Sequence, residues 1–300
     1  MKISQPCALH EIGKRANNED CIYPPKGELA EDQRFFIVCD GIGGHEHGEV
    51  ASRTVCESFA TALKDLKPDD FNERVFETVL DGAYDALDQI DGSNVSGKKM
   101  GTTLSFLYLN NRQALMAHIG DSRIYHFRKK ETGETAILYK SSDHSFVNEL
   151  VKSGIITEEE AANHPKRNVI TRAMQPNPEK RCRADIHITR NVAAGDRFFL
   201  CTDGVLESLS DEQLCNMMAE NTDNETIIKE IHEQCREMSR DNFSAWLVTV
   251  SEGKADHATP CVAIKKSEML YPFMKAFVVI SFAIAAYFLL SWLIFRYLYY

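Results

Sequence analysis

Hydrophobic and polar residues follow two distinct patterns along most of this chain. Short apolar runs rich in β-branched and aromatic residues predict strands at Arg34–Asp40, Thr102–Asn110, Ala114–Phe127, Asp196–Asp203 and Ser244–Val250. Between them, apolar residues recur at roughly helical spacing in Glu49–Leu66, Asn72–Ile90 and Glu225–Met238. In the first of these stretches Val55, Phe59 and Leu63 recur every four residues, which predicts one buried helix face.

The order of these segments predicts an α+β fold. Several predicted strands follow one another as hairpins, whereas the long helices are inserted between groups of strands. This order favours antiparallel sheets covered by helices over a regular array of βαβ units. The chain contains no internal repeat and no low-complexity tract, so residues 1–250 are expected to form one domain.

A long apolar run stands apart near the end of the chain. Residues Ala276–Phe295 carry no charge, and at ~1.5 Å per residue they form a helix of about 30 Å, the thickness of the hydrocarbon core of a bilayer. A buried core helix is the alternative, but such helices are usually shorter and amphipathic. We therefore predict a transmembrane helix over 273–297 and a linker over 251–272.

Charged residues around this run predict its orientation. Lys265, Lys266 and Lys275 precede it, and only Arg296 follows it. Because cytoplasmic flanks carry the excess of Lys and Arg, the preceding domain is expected to face the cytosol. The expected localisation is a membrane protein with a single-pass C-terminal anchor, at the inner membrane in a bacterium.

The composition indicates which classes of binding partner and which cellular compartment to expect. The net charge is −10, from 34 basic and 44 acidic residues, and this argues against a nucleic-acid partner because phosphate backbones attract basic surfaces. An acidic surplus usually reflects only a solvated surface, although some of the carboxylates could converge on bound cations. The nine cysteines form no C-x-x-C pair, which is typical of reduced thiols in the cytosol.

Two aspartates occupy positions suited to ligand binding. Asp40 and Asp203 each end an apolar strand-like run and precede a glycine, in FFIVCDG and FFLCTDG. A tight turn is the ordinary role of an Asp-Gly pair, and it suffices for Asp81 within a helical pattern. At the end of a buried strand, however, the carboxylate is held rigidly, and the glycine lets the backbone approach a ligand closely.

Further residues extend this set. Asp121 lies between two strand-like runs, Asp241 lies just before the last predicted strand, and Arg15 and Asp20 lie in KRANNEDC. Turn formation or capping is the alternative role for Asp121 and Asp241. Hard divalent cations take oxygen ligands, so strand-end aspartates without a Cys/His motif predict Mg²⁺ or Mn²⁺ rather than zinc.

A series of short motifs runs through the chain between about Pro6 and Val250. In chain order they are Arg15–Asp20, Asp40–Ser52, Met100–Thr103, Gly120–Arg123, Asn168–Met174, Cys201–Val205 and Asp241–Ser244. In this order and at these spacings they resemble the PPM family, the protein phosphatases of the 2C type. Each motif alone is a weak signal, whereas the ordered series is highly specific.

The resemblance implies a fold and a set of metal ligands. The fold is a central β-sandwich of two antiparallel sheets flanked by helices on both outer faces. Asp40 is expected to bridge two metal ions, with Asp203 and Asp241 holding the first ion and the carbonyl of Gly41 the second. Asp20 is expected to hold water molecules bound to the metals.

The resemblance also implies a reaction. The expected activity is hydrolysis of phosphoserine and phosphothreonine in proteins, in which two Mn²⁺ or Mg²⁺ ions activate a water molecule for in-line attack on phosphorus. Asp121 is expected to help bind a third ion. Arg15 is expected to bind the substrate phosphate, since its planar guanidinium donates two hydrogen bonds at once. Phosphorylated proteins and a cognate serine/threonine kinase are the expected partners of a monomeric catalytic domain.

The resemblance also bears on the general acid of the reaction and on the access of substrate to the site. Ile42 follows the first Asp-Gly, where eukaryotic members often have a histidine that is a candidate general acid. His45 and His47 come next, but at the start of a helical pattern they are expected to be structural or exposed, so we assign no protein general acid. The polar segment at about 146–181 lies where bacterial members have a mobile flap, and such loops commonly control substrate access.

Two alternatives are open on the sequence alone. A pseudophosphatase would bind phosphoproteins without hydrolysing them, although the joint presence of Asp40, Asp203 and Asp241 weighs against this reading. The same metals could also serve another phosphoester, such as a small metabolite.

Overall fold

The computed structural model describes residues 1–43, 47–91, 100–220 and 223–253. The strands in these ranges are β1 (Lys2–Glu11), β2 (Cys21–Tyr23), β3 (Phe35–Cys39), β4 (Gly41–Ile42), β5 (Gly101–Thr102), β6 (Leu104–Leu109), β7 (Ala114–Ile119), β8 (Arg123–Lys129), β9 (Thr135–Lys140), β10 (Asp185–Thr189), β11 (Arg197–Cys201) and β12 (Phe243–Glu252). The α-helices are α1 (Gly48–Leu63), α2 (Glu73–Asp91), α3 (Phe146–Lys152), α4 (Glu158–Ala162), α5 (Asp203–Leu206), α6 (Asp211–Glu220) and α7 (Asn224–Met238).

Two five-stranded antiparallel sheets form the centre of the fold. One has the strand order β1-β12-β11-β8-β9, and the other has the order β10-β7-β6-β3-β2. Strands β4 and β5 form a separate short ribbon. Strands β1 and β12 pair along their length, with Leu9 opposite Ala245, so segments far apart in the sequence lie side by side.

Strand β3 shows how the alternation of side chains along a strand places them in two different layers of the core. All five of its residues are buried. Phe36 and Val38 belong to the core between the two sheets, whereas Phe35, Ile37 and Cys39 belong to the core beneath α1 and α2. Because successive side chains point to opposite faces, a strand covered on both sides reads as a continuous apolar run.

Helices cover the outer face of each sheet. Helix α1 contributes Ala51, Val55 and Phe59 to the core that it shares with α2 and the β3 sheet. Helices α5, α6 and α7 pack on the other sheet. Full burial of a large apolar side chain stabilises the fold by about 1.5–3 kcal/mol. The layers run helix, sheet, sheet, helix, which confirms the predicted sandwich.

The predicted run Ala114–Phe127 forms two strands that lie in different sheets. Strand β7 belongs to one sheet and β8 to the other, and the chain crosses between them at Gly120. Gly120 has φ 106°, and a Cβ there would overlap the side chain of Thr103. Only glycine accepts this conformation without strain. The crossing brings Asp121 to the end of the sandwich.

The structure describes the whole of the predicted flap but only the first residues of the predicted linker. Segment 146–181 contains α3 and α4, and its backbone pairs with β5 through Met174 and Thr102. Strand β12 reaches Glu252 and so enters the predicted linker 251–272. The rest of that linker and the predicted transmembrane helix 273–297 lie outside the described residues, as does His45. Among the helices that the structure does describe, none is long and apolar enough to cross a bilayer.

Candidate active site

The aspartates predicted from the sequence lie together where β3 and β11 end. Asp40 follows β3, and Asp203 begins α5 two residues beyond the end of β11. The carboxyl group of Asp40 interacts with those of Asp203, Asp20 and Asp121. Asp241 in turn acts on Asp20 and Asp203. These residues form the carboxylate cluster, defined as Asp20, Asp40, Asp121, Asp203 and Asp241.

Two threonines hold the backbone of Asp40. The Asp40 N–H donates to Thr103 Oγ1 at 2.9 Å, and the Asp40 carbonyl accepts from Thr103 N–H and Thr102 Oγ1, each at 2.9 Å. Thr103 Oγ1 also contacts Ser122 Oγ at 2.7 Å. The motifs around Thr103 and Ser122 therefore fix Asp40 and Asp121 relative to each other.

Glycine is required where the chain leaves Asp40. The Gly41 N–H donates to the Glu19 carbonyl at 3.1 Å. A Cβ at Gly41 would overlap the carbonyl oxygens of both Gly48 and Glu19. The segment that carries Asp20, the turn after Asp40 and the start of α1 are therefore packed backbone against backbone. No other residue type permits this approach.

Asn242 holds the loop that carries Arg15 to the end of β12. Its side-chain amide donates to the carbonyls of Ile12 at 2.8 Å and Asn17 at 2.9 Å, and its Oδ1 accepts from Glu19 N–H at 2.8 Å. Gly204 packs against the Asn242 carbonyl, where a Cβ would overlap it. One buried amide therefore satisfies three backbone groups around the carboxylate cluster.

Burial raises the pKa of several carboxyl groups in the cluster. Burial is the main cause for Asp40, whose pKa lies well above its usual range, and the neighbouring carboxylates add to it. The same two causes, with burial the larger, act on three other members of the cluster. They raise the pKa of Asp20 to about 8, that of Asp121 to about 7 and that of Asp203 to about 6. Low polarity and like charge both disfavour the ionised form. A cation among these groups would relieve both effects.

The oxygen atoms of the cluster suit a divalent cation. Asp121 Oδ1 and Asp203 Oδ1 are buried and have no hydrogen-bond partner among the described residues. A buried oxygen without a partner is costly, so such atoms point to a ligand. Carboxylate and carbonyl oxygens are the donors that Mg²⁺ and Mn²⁺ prefer. The residues present therefore fit the ions predicted from the sequence.

Arg15 lies at the rim of the carboxylate cluster. Its Nη2 donates to Asp241 Oδ2 at 2.6 Å, and its side chain is 55% exposed. The hydrogen bond to Asp241 raises the pKa of the guanidinium. Arg15 thus places an exposed, permanent positive charge beside the buried negative charges.

A polar groove of about 930 Å³ opens from the cluster towards the predicted flap. Asp121 and Asp203 of the cluster line it, as do Val147 of α3 and Ala161 of α4. Arg240 also lines the groove. A groove lined by these carboxylates and by α3 and α4 can hold a segment of a larger ligand.

A second group of possible metal ligands lies near Asp121 and has a different geometry. The rings of His118 and His144 stack with centroids 4.6 Å apart and planes 11° from parallel. Burial lowers the pKa of both histidines, so both are neutral at pH 7. His144 Nδ1 accepts from Gly120 N–H at 3.1 Å, so Nε2 carries the proton and faces Asp185 Oδ2 at 3.2 Å.

These contacts make the histidine group a hydrogen-bonded link instead of a metal site. His118 and His144 come within 4.8 Å of Asp185 with their ligand atoms. An imidazole binds an ion in the plane of its ring through an unprotonated nitrogen, and two stacked rings share no such point. The link joins the loop before Asp121 to β10 and to Arg172 in the segment 146–181, and Arg172 contacts Asp185 at 3.0 Å.

Comparison with known proteins decides the family. A family model described as Protein phosphatase 2C matches residues 10–250 of the chain. The chain belongs to the protein phosphatase 2C family. It is a serine/threonine protein phosphatase of the 2C type, and enzymes of this family use divalent metal ions.

Relatives cover most of this phosphatase. Protein phosphatase PhpP of Streptococcus pneumoniae is 32% identical over 257 residues, which are 83% of this chain and 98% of PhpP. The crystal structure of the Mycobacterium tuberculosis serine/threonine phosphatase PstP/Ppp has a TM-score of 0.72 and 29% identity, over 84% of this chain and 100% of that one. The catalytic domain of PstP in complex with two manganese ions has a TM-score of 0.67 and 27% identity, over 83% and 99% of the two chains.

Two further charged side chains, which the sequence does not identify as part of the site, act on the carboxylate cluster. Arg123 and Asp143 form a bidentate ion pair, with both N–O distances 2.7 Å, and the charge of Asp143 acts on Asp121. Arg123 ends the motif Gly120–Arg123, but the sequence does not show that Asp143 is its partner. Its role required the fold, since β8 and β9 bring the two side chains together.

Proposed function

We propose that this phosphatase removes phosphate from phosphoserine and phosphothreonine side chains of proteins with two bound Mn²⁺ or Mg²⁺ ions, and that a third ion binds beside them. The observation that carries the proposal is the carboxylate cluster itself. Its charges are buried together, and Asp121 and Asp203, which each have an unpartnered oxygen, line a groove of a size that would hold a protein segment. The two manganese ions of the PstP complex support the number of ions.

The ligands would be divided among several elements. Asp40 would bridge the two ions, Asp203 and Asp241 would hold the first, and the carbonyl of Gly41 would hold the second. When bound, the ions supply an activated water molecule and offset the negative charge of the phosphoryl oxygens. The chain supplies the fixed geometry, because the backbone bonds to Thr103 prevent Asp40 from moving away.

Asp20 and Asp121 would act from the sides of the centre. Asp20 Oδ2 accepts a hydrogen bond from Thr202 Oγ1 at 3.1 Å, which orients the carboxylate towards the residue next to Asp203. From this buried position it would hold water molecules that the metals bind. Asp121 has a free buried Oδ1 and would help bind the third ion.

Arg15 would bind the substrate phosphate at the rim. One Nη atom is held by Asp241, and the exposed remainder of the planar guanidinium can donate two hydrogen bonds to phosphoryl oxygens. Because Asp241 pairs with Arg15, the same carboxylate links phosphate binding to the metal centre. We assign no protein group to protonate the leaving alkoxide.

Replacing Arg15 tests this role. Arg15→Ala is expected to raise KM for p-nitrophenyl phosphate by roughly 10–100-fold, since a hydrogen bond to a charged group contributes about 1.5–3 kcal/mol. Arg15→Lys should recover part of the loss, because it restores the charge without the planar fork. Lys14→Ala is the matched control, since Lys14 binds only the Glu237 carbonyl in the described structure. Loss of Mn²⁺ binding in calorimetry of Arg15→Ala would show that Arg15 is structural instead.

The groove would hold the substrate segment around the phosphorylated residue. Its walls combine apolar side chains with cations such as Lys152 and Arg167, and the flap at 146–181 would control access to it. The full-length chain with Mn²⁺ should therefore hydrolyse a phosphoserine peptide with a higher kcat/KM than free phosphoserine. Equal rates for the two would favour a small phosphoester as the substrate, and hydrolysis of neither would favour a pseudophosphatase.

The tail would anchor this monomeric catalytic domain to a membrane, with the active site in the cytosol. The uncharged run Ala276–Phe295 and the cations before it support this proposal. Anchoring would concentrate the enzyme near phosphorylated proteins and a cognate serine/threonine kinase at the membrane.

Truncation tests the anchor. We expect the full-length chain in the membrane fraction of cells, and a chain that ends at Met269 in the soluble fraction with its activity on p-nitrophenyl phosphate kept. Arg substitutions at the centre of the run, at Ile284, Ala285 and Ala286, should release the chain, because each charge at the centre of a span costs about 2.5–3.5 kcal/mol. Recovery of these variants in the membrane fraction would contradict the anchor.

A further inference from the structure

Cysteines lie together directly behind the carboxylate cluster. Cys21 on β2 is directly opposite Cys39 on β3, and Cys56 on α1 packs with both in the core beneath α1 and α2. All of them are free thiols. Cys21 follows Asp20 and Cys39 precedes Asp40, so two members of this thiol cluster adjoin residues of the metal centre.

Accessibility separates the members of the thiol cluster. Cys39 and Cys56 are buried, with 0% and 2% of their surface exposed, whereas Cys21 is partly exposed. A small oxidant therefore meets Cys21 first. Cys56 packs in the same core and its thiol acts on that of Cys21, so it is placed as a resolving thiol is in proteins that sense oxidants.

We propose that Cys21 is an oxidation site for hydroperoxides and that Cys56 resolves the oxidised thiol as a disulfide. The Cys21 sulfur attacks one oxygen of hydrogen peroxide, the O–O bond breaks, and a sulfenic acid and water form. The Cys56 sulfur then attacks the Cys21 sulfur, the S–O bond breaks, and a second water leaves. The two thiols give up two electrons and two protons in total, and the peroxide is reduced to two water molecules.

The disulfide would act on the metal centre through the Glu19 carbonyl. This carbonyl accepts from Gly41 N–H at 3.1 Å and from Ser52 Oγ at 2.6 Å. Ser52 lies one helical turn before Cys56, so β2, the turn after Asp40 and α1 already meet at this point. A covalent bond draws the two sulfurs closer than a thiol contact does and shifts the segment that carries Asp20. Displacement of a catalytic group by about 1 Å can cost on the order of 10²-fold in rate.

Peroxide treatment of the full-length chain tests the proposal. The reduced, metal-free protein is treated with hydrogen peroxide, catalase removes the excess, and free thiols are blocked before peptide mapping by mass spectrometry. We expect a Cys21–Cys56 disulfide, loss of most Mn²⁺-dependent activity on p-nitrophenyl phosphate, and recovery of that activity with dithiothreitol.

Variants separate this site from general oxidation. Cys56→Ala should be active before treatment, should form no disulfide, and should instead give a Cys21 sulfenic acid that dimedone labels. Cys182→Ala, which removes another partly exposed thiol, should behave like the wild type. The proposal is overturned if the wild-type map shows a different pairing, if the Cys21–Cys56 bond forms without loss of activity, or if Cys21→Ser loses activity to peroxide as fast as the wild type. Peptide mapping of the wild type does not depend on activity, so it tests the proposal even if the variant Cys56→Ala does not fold.

Discussion

Asp40→Asn is expected to lower kcat/KM of the full-length chain for p-nitrophenyl phosphate with Mn²⁺ by on the order of 10³-fold. The change removes the charge that would bridge the two ions but keeps the size of the side chain. The fold should survive, because the bonds that hold residue 40 come from its backbone to Thr102 and Thr103. Activity within tenfold of the wild type would exclude Asp40 from the metal centre.

Stability of the same variant gives an independent readout. Folding raises the pKa of Asp40 through burial and its carboxylate neighbours, so at neutral pH the ionised group opposes folding when no cation is present. In EDTA, Asp40→Asn should therefore unfold at a higher temperature than the wild type. Asp81→Asn is the matched control, since Asp81 also precedes a glycine but lies exposed on α2. It should leave activity unchanged and stability within about 0.5 kcal/mol.

Asp196→Ala is expected to cause the largest loss of stability, about 3–5 kcal/mol. The Asp196 side chain is fully buried and accepts from Arg128 Nε and Nη2, each at 2.7 Å, and from His126 Nε2 at 2.8 Å. Removing the carboxylate leaves the guanidinium without its buried counter-charge. In thermal unfolding of the full-length chain the loss should appear as a lower Tm, with each 1 kcal/mol shifting Tm by roughly 2–4 °C.

The pH dependence of this effect follows from the pKa of Asp196. Burial raises it, but the hydrogen bonds from Arg128 and His126 outweigh burial and hold the pKa below its usual range. The stabilisation is therefore present above the unfolded pKa of about 3.9 and is lost as pH falls through the folded pKa. The difference in the free energy of unfolding between the wild type and Asp196→Ala should be largest at pH 7 and should decrease in acid. Glu134→Ala, which breaks an exposed pair with Lys130, should change stability by less than about 0.5 kcal/mol; a similar loss in both variants would contradict the account.

The central strands and the candidate ligands could be predicted because their signals are local. In β3 and β11 every residue is buried, so each reads as a short apolar run, and each is followed closely by an aspartate and a glycine. The helix face of α1 repeats every four residues, and its predicted bounds, Glu49–Leu66, differ from the observed ones by a few residues at the end. That these ends meet at one centre followed from the resemblance, since periodicity does not report which strand ends are neighbours.

The edge strands were not predicted because their patterns are weak. Strand β10 is an edge strand with mostly exposed or half-buried residues, and β9 is an edge strand with none fully buried. Strand β1 contains a register shift between Ser4 and Cys7 that interrupts its alternation. Each of these strands is defined by its pairing with a partner distant in the sequence.

The residues that hold the site in place could not be predicted either, because they also act on groups that are distant in the sequence. Asn242 bonds to Glu19, 223 residues away, and Thr103 bonds to Asp40, 63 residues away. A sequence pattern shows that such residues are polar but not which backbone groups they satisfy. The resemblance predicts a phosphate-binding role for Arg15, whereas its pairing with Asp241 depends on the alignment of β1 with β12.

Calorimetric titration of Mn²⁺ into the metal-free full-length chain tests the central claim most directly. The account predicts saturable binding of at least two ions per chain by the wild type and by Asp81→Asn, and loss of that binding in Asp40→Asn. Equal Mn²⁺ binding by the wild type and Asp40→Asn would contradict it, because the carboxylate cluster would then not be the metal centre.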